Sequence, residues 1–338
     1  MSDLCVVIPV YNGEEFIGQA IESILKQTYQ DFKLLIINDC STDRTKEVIE
    51  SYNDKRIEVI NLKENKGLGA AMNFALSKIK TKYIARLDAD DIAVETRLEK
   101  QKKFLDNNEE IALVGGLVDY FPNDAQVEQS QRYKSFKSSL EVHRNSVVSS
   151  KEIGEKMNWY CCIHPTTQMF RTRIVKKIGY KEIPIGTDYG LFYELNKSGY
   201  KLGKVDEILV KMRVLDTSVT ATRKKTFYEN TLYKIKEKEI NALLKNQDNI
   251  YIWGAGGMGR HLLNVLTKNG FKVNGFIDGD ETKHGEKVSN TLVNSPDIVK
   301  TADTKCKIII ASQSGKFEVV KYLKSLSYEE FKDFLVYY

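Results

Sequence analysis

The 338-residue chain lacks most of the features that would mark it for a membrane, a secreted scaffold or nucleic acid. No apolar run approaches the ~20 residues a helix needs to cross a bilayer. The sequence enters Leu4-Cys-Val-Val-Ile8 almost at once, with no basic n-region and no small-residue cleavage site, so no signal peptide is expected. Its five cysteines (Cys5, Cys40, Cys161, Cys162 and Cys306) are odd in number, widely spread and form no C-x-x-C pair. That pattern argues against both a disulfide framework and a thiolate zinc site. There is no internal repeat, no low-complexity tract and no strong excess of either charge, the net value being +5. Lysines and arginines crowd the expected helix Arg223–Lys245 rather than forming an aromatic-interleaved nucleic-acid surface, which makes nucleic-acid binding a weak reading. A cationic helix suits the surface of an anionic membrane better. A cytoplasmic protein is expected, with peripheral contact at the cytoplasmic membrane face and an oligomeric state the sequence does not specify.

With 42% hydrophobic and 29% charged residues, the chain has the balance of a globular protein long enough for two domains. Leu4–Ile8, Lys33–Ile37, Arg56–Ile60 and Tyr83–Leu87 are short β-rich runs. Between the first two, Ile17, Ala20, Ile21, Ile24 and Leu25 recur at helical spacing, and helices over Thr42–Tyr52 and Leu68–Ile79 fill the other gaps. This βαβαβα order calls for a parallel sheet with helices on both faces. After Ile111–Val118 the rhythm stops, and Asp119–Lys156 reads as a polar insertion carrying some helix. Order returns over Trp159–Arg171, a helix at Tyr189–Ser198, and strands near Lys201–Val205 and Ile208–Val214. Arg223–Asn246 reads as one long helix with Phe227, Leu232, Ile235, Leu243 and Leu244 as its apolar positions. A second α/β pattern starts at Asn249. The expected organisation is a catalytic domain over 1–222, a connecting helix over 223–247 and a small Rossmann-like domain over 248–338.

The chemistry concentrates where the run Tyr83–Leu87 ends in Asp88-Ala-Asp-Asp91. In an open parallel sheet, ligands sit beyond the carboxyl ends of the strands. Hard cations such as Mg2+ or Mn2+ need carboxylate oxygens and complete their shells with water and substrate phosphates. An Asp-x-Asp at a strand end therefore suggests a metal, held by Asp88 and Asp90, that carries a diphosphate. The competing reading is a solvated loop in which Asp90 or Asp91 caps the next helix.

Four stretches occur in order, each at the end of an expected strand: Val7-Ile-Pro-Val-Tyr-Asn12, Ile37-Asn-Asp-Cys-Ser-Thr-Asp43, Asn65-Lys-Gly-Leu-Gly-Ala-Ala-Met-Asn73 and Tyr83–Asp91. Together they resemble the nucleotide-binding half of family 2 glycosyltransferases with the GT-A fold, over residues 4–215. The resemblance implies a doubly wound α/β catalytic domain with a mixed sheet. It further implies a nucleotide-sugar donor, a UDP-sugar in the first instance, and Mn2+ or Mg2+ as cofactor. The donor site would involve Pro9, Tyr11, Asn12, Asp39, Lys66, Asn73, Arg86, Asp88 and Arg213, with Tyr11 against the base and Asp39 accepting from a uracil N–H. In Gly186-Thr-Asp-Tyr-Gly-Leu191, Asp188 matches the second acid of the family's acidic pair and is the candidate catalytic base; Thr187 stands where the first acid would be. A base opposite the leaving diphosphate implies inversion at the anomeric carbon. The acceptor would be a saccharide or a lipid-linked glycan of bacterial surface-polysaccharide synthesis. His164-Pro-Thr-Thr-Gln-Met-Phe-Arg171 matches a stretch that borders the acceptor in the family, with His164 read as structural and Trp159 and Tyr160 as either stacking or core residues. Leu215 replaces a histidine often found two residues after the arginine that Arg213 matches.

In the second domain, Gly254-Ala-Gly-Gly-Met-Gly259 lies between a strand and a helix, with Asp278 following 19 residues later. This is a dinucleotide fingerprint in its proper setting. About 90 residues leave no room for a dehydrogenase's catalytic domain, and the segment resembles small Rossmann-like modules appended to surface-polysaccharide enzymes. Glycines serving only turn and packing are the simpler reading of the fingerprint. Two other functions compete for the whole chain: an NAD-dependent oxidoreductase, which leaves the first 215 residues unexplained, and a non-catalytic nucleotide-sugar-binding protein, which does not need Asp88, Asp90 and Asp188 together.

Overall fold

The computed structural model describes residues 2–217, 225–301 and 305–337. The chain divides into two compact units, Met1–Thr222 and Arg223–Tyr338. In the first, β1 (Leu4–Val10), β2 (Phe32–Asn38), β3 (Ile57–Asn61) and β4 (Tyr83–Arg86) alternate with α1 (Ile17–Leu25), α2 (Thr45–Glu50) and α3 (Leu68–Lys78). These strands pair in parallel in the order β3-β2-β1-β4. The central strands β1, β2 and β4 are covered on both faces, which is why they read as continuous apolar runs. Leu4, Val6, Ile8, Ile17, Ile21, Leu34 and Ile36 form the heart of this core and are fully buried, each aliphatic contributing roughly 1.5–3 kcal/mol. Pro9 is tolerated inside β1 for a geometric reason. The Val7 carbonyl accepts from Leu87 on the β4 side and Val10 accepts from Asp39 on the β2 side, so alternation turns residue 9 toward β4. The ladder with β4 has already ended at Val7, and no donor is needed there.

Beyond β4 the sheet is not a plain parallel one. β5 (Ile92–Ala93), α4 (Arg97–Asn107), β6 (Ile111–Pro122), β7 (Met169–Arg171) and β8 (Lys201–Val214) complete an eight-stranded sheet in the order β3-β2-β1-β4-β7-β6-β8-β5. β7 runs antiparallel to both β4 and β6, and β5 antiparallel to β8. The expected strand Ile111–Val118 continues to Pro122, and the two strands expected between Lys201 and Val214 are one. The apparent gap between them is a bulge: Gly116 pairs with Val205 and Leu117 with Ile208, so Asp206 and Glu207 loop out of register. The expected insertion contains short helices α5 (Ala125–Gln129), α6 (Gln131–Ser135), α7 (Glu141–Asn145) and α8 (Ser150–Met157). α9 (Thr172–Ile178) and α10 (Thr187–Lys197) follow β7.

The second unit opens with α11 (Lys225–Leu244); the helix start expected at Arg223 and the side chain of Phe227 lie outside the described residues. Leu232, Ile235, Ile240, Leu243 and Leu244 are buried on it, and Lys236 donates to the carbonyls of Val336 and Tyr337 at 2.9 and 3.0 Å. Then come β9 (Ile250–Trp253), α12 (Gly257–Lys268), β10 (Gly275–Ile277), β11 (Lys287–Val288), β12 (Thr291–Asn294), α13 (Ile298–Thr301), β13 (Lys307–Ile310), α14 (Lys316–Ser325) and β14 (Phe334–Val336). Strands β12, β10, β9, β13 and β14 lie in that order and run parallel, the doubly wound arrangement. Gly259 is required by packing, since a Cβ there would lie 1.8 Å from the Gly254 carbonyl oxygen, whereas Gly256 and Gly257 face open space. The carboxylate of Asp278 turns onto the glycine loop itself, accepting from the Ala255 amide at 2.8 Å.

Candidate active site

The carboxyl ends of β1, β2 and β4 lie side by side, fixed by the registers Val10↔Asn38 and Val7↔Arg86. The loops that follow β1 and β2 are laced together. Asn12, with φ of 51°, accepts from the Thr42 amide through Oδ1 at 2.8 Å, and its own amide donates to Ser41 Oγ at 2.9 Å. Asparagine is among the few residues that tolerate this left-handed conformation. Gly13 and Glu14 donate to Thr45 and Asp43 across the same seam. Tyr11, immediately before, is half exposed at this edge. Asp39 is buried, its two oxygens accepting from the amides of Lys66 and Gly67 at 2.9 and 2.8 Å. It therefore shapes the loop entering α3, and each oxygen retains a second lone pair. The Lys66 ammonium points away to Glu64, and Asn73 pins the backbone of Tyr180 with both ends of its amide at 2.8 and 2.9 Å. Neither side chain joins the acidic group.

At the end of β4 the acids do converge, and the connection is Arg86. This buried guanidinium donates from Nη2 to Asp88 Oδ1 and from Nη1 to Asp188 Oδ1. Asp188 lies in the first turn of α10, one hundred residues later in the chain than Asp88. Burial alone would discharge Arg86, but the two carboxylates outweigh it and hold the group charged, its pKa raised above the ordinary arginine value. Gln168 Nε2 donates to the same Asp188 oxygen at 2.9 Å, and Tyr180 Oη donates to Gln168 Oε1 at 3.2 Å. Beneath them Arg97 Nη2 donates to the carbonyls of Arg86 and Gln168, at 2.5 and 3.4 Å, and ties β4 to the strand beside it. Arg97 and Tyr180 carry no signal in the sequence, and Gln168 falls inside the stretch His164–Arg171 without standing out in it, because their meaning arises only when β4, β7 and α10 come together.

The other two acids are crowded. Burial, then the charge of Asp88, pushes the Asp90 carboxyl up to about 6. Burial followed by Asp90 and Asp88 raises Asp91 well above the carboxylate range, and burial raises Asp88 against the opposing pull of Arg86. Asp91 caps no helix; its Oδ1 accepts from the Arg213 amide at 2.8 Å. Arg213 lies against this loop, its guanidinium between the rings of Phe16 and Phe121, and it donates to the Asp90 carbonyl, Asn123 and Gln19. Among the described residues no three His, Cys, Asp or Glu side chains form a closed metal cage. A cation bound together with a diphosphate needs only one or two protein carboxylates. A divalent ion would offset the burial that raises the carboxyls of Asp88 and Asp90 and the charge of Asp88 felt at Asp90, so the donor set fits Mg2+ or Mn2+. His164 is wholly buried, with no hydrogen-bond partner at either ring nitrogen among the described residues, and Tyr160 is buried while Trp159 is half-buried.

Comparison with known proteins identifies the family. Residues 5–179 match the family model described as "Glycosyl transferase family 2", and residues 246–333 match one described as "C2185-like, N-terminal". Over 244 residues the chain is 32% identical to an uncharacterized glycosyltransferase of Haemophilus influenzae, covering 71% of this chain and 73% of that one. A shorter stretch of 102 residues is 38% identical to TuaG of Bacillus subtilis, a putative teichuronic acid biosynthesis glycosyltransferase, over 30% of this chain and 40% of that one. Among solved structures, the mannosyltransferase PcManGT of Pyrobaculum calidifontis, in complex with GDP-Man and Mn2+, shares the fold with a TM-score of 0.53 at 16% identity, over 71% of this chain and 64% of that one.

Proposed function

The chain belongs to glycosyl transferase family 2, and from that premise we propose that it is an inverting, metal-dependent enzyme. It moves a sugar from a nucleoside-diphosphate donor, a UDP-sugar, to a hydroxyl of a saccharide or lipid-linked glycan in surface-polysaccharide synthesis. The observation that carries this reading is the bridge Asp88–Arg86–Asp188, which brings two separately encoded carboxylates, one partly exposed and one buried, onto a single buried cation. Tyr11 lies against the base, and Asp39 accepts from its N–H with a remaining lone pair. Asp88 and Asp90 hold the metal, which when bound supplies Lewis-acid stabilisation of the leaving diphosphate. Arg213 supports that site through the Asp90 carbonyl. Asp188 is the general base. The acceptor oxygen bonds to the anomeric carbon as its proton passes to Asp188, and the bond from that carbon to the diphosphate breaks with its electron pair leaving on the nucleotide. The single displacement inverts the anomeric centre. The TuaG likeness supports a surface-glycan acceptor.

A thermal-shift screen of UDP- and GDP-sugars, with and without Mn2+, tests the donor class. A ligand bound only by the native state raises the unfolding midpoint according to its affinity. A UDP-sugar should raise it in the presence of Mn2+ and much less without. A response confined to GDP-mannose would move the donor to a guanosine sugar, and no response to any sugar nucleotide would sink the reading.

A further inference from the structure

Asp188 is held by one oxygen only. Its Oδ1 accepts from both Arg86 Nη1 and Gln168 Nε2, whereas Oδ2 takes no hydrogen bond from any described residue. The orientation of the Gln168 amide follows from chemistry. An ionised carboxylate accepts and cannot donate, so the atom facing Asp188 is the nitrogen, and Oε1 is left facing Tyr180. Tyr180 meets it with a phenol proton at 3.2 Å. Burial first, and then the charge of Asp188, keeps that phenol protonated and therefore a donor.

The backbone of Gln168 is fixed too, its carbonyl accepting from the Arg86 amide at 3.0 Å and from Arg97 Nη2. Gln168 is 0% exposed and Tyr180 4%, so neither side chain presents a surface on which a substrate could rest. What they can do is act through Asp188. A carboxylate with free rotation would offer either oxygen in several directions. One whose Oδ1 is clamped by two donors offers a single oxygen in a single direction, and effective proton transfer depends on such alignment.

We propose that Gln168, oriented by Tyr180, is a positioning residue for Asp188 that clamps Oδ1 and leaves Oδ2 as the oxygen presented to the acceptor hydroxyl. The inference rests on Asp188 being the base.

The test uses the full-length chain as Gln168→Met, Tyr180→Phe, the double variant and Asp188→Asn. Crystal structures give the arm that needs no substrate. In Gln168→Met, the Asp188 carboxylate is expected to rotate away from its Oδ1-in position; an unmoved carboxylate overturns the proposal. Nucleotide release from UDP-glucose, UDP-GlcNAc or UDP-galactose with Mn2+ gives the second arm. Turnover of Gln168→Met should fall on the order of 10^2-fold, the scale of a misaligned reacting group, with UDP affinity within about twofold. Tyr180→Phe should lose roughly fivefold, the equivalent of about one hydrogen bond. It should add nothing in the double variant, because Tyr180 acts only through Gln168. Effects that multiply, or that fall on UDP affinity and not on turnover, overturn the proposal. Should Gln168→Met fail to fold, Tyr180→Phe decides alone, through turnover and the rotamers of Gln168 and Asp188. An Asp188→Asn variant of normal turnover would instead remove the base, leaving the structural arm to judge the clamp.

Discussion

Arg213 donates from Nε to the backbone carbonyl of Asp90 at 3.0 Å, which makes this arginine a brace for the acidic loop. Its charge is stacked between two rings, 4.5 Å from the centroid of Phe16 and 4.6 Å from that of Phe121. Arg213→Lys keeps a charge but neither the fork nor the flat stacking surface. It should weaken Mn2+-dependent UDP binding about tenfold, the scale of one charge-assisted hydrogen bond and its ring contacts. Calorimetric titration in wild-type and Asp90→Ala backgrounds separates the two ways the arginine can act. A brace acting through Asp90 loses its effect in the second background, while direct contact with the diphosphate does not.

Asp90→Ala removes a candidate metal ligand without touching Arg86 or Asp188. The dissociation constant of UDP with Mn2+ should rise by roughly 10- to 100-fold, since a Lewis acid on the diphosphate is worth several kcal/mol. UDP binding measured in EDTA should stay the same. Unchanged metal dependence would show that Asp90 is not a ligand.

Asp188→Asn has the opposite signature. The amide still fits the first turn of α10 but cannot take the acceptor's proton. Turnover should fall by roughly 10^2 to 10^4, with UDP affinity nearly unaltered, as expected for an interaction used in the transition state. Near-normal turnover would rule Asp188 out as the base; lost UDP binding would move it to the nucleotide side.

His164 should set an acid limit on stability. Its imidazole is fully buried, and burial first, with Arg144 and Lys204 adding like charge, lowers its pKa well below 6.5. As pH falls below about 6.5 the unfolded chain binds a proton here before the folded one does. Stability is therefore complete above 6.5 and declines below it, by up to about 1.4 kcal/mol per pH unit, until the folded value is reached. Urea unfolding between pH 7 and 5 should show this slope. His164→Leu, which cannot titrate, should flatten it by one proton; an identical slope would assign the acid limit to other groups.

The parts of the fold legible in the sequence are those whose physics is local. β1, β2 and β4 declare themselves because a strand covered on both faces must be apolar throughout, and Asp88, Asp90 and Asp188 because carboxylates at strand and helix ends are visible in one dimension. β8 was not legible as a single strand. Asp206 and Glu207, looped out in a bulge, look in the sequence like the end of one strand and the start of another. The antiparallel direction of β7, three residues long, is fixed by its neighbours and not by its own side chains. Lys66 and Asn73 were read as donor contacts, but their partners in the fold are Glu64 and the backbone of Tyr180, which no one-dimensional pattern reveals. Gln168 was hidden for the same reason: an amide means little until a carboxylate 20 residues away is folded against it.

The placement of α11 marks where this chain can be recombined. A helix between two domains is often taken as a free spacer, to be cut on either side. Here Leu232, Ile235, Ile240, Leu243 and Leu244 are buried and Lys236 is fastened to the carbonyls of Val336 and Tyr337. The helix is therefore heritable only with the C-terminal unit. A chimaera joined after residue 246 would carry an orphaned apolar helix on one half and expose a core on the other. A junction before Lys225 would transfer each half with its core complete. If the transferase half has been shuffled among different C-terminal modules, the crossovers should cluster between the end of β8 and the start of α11.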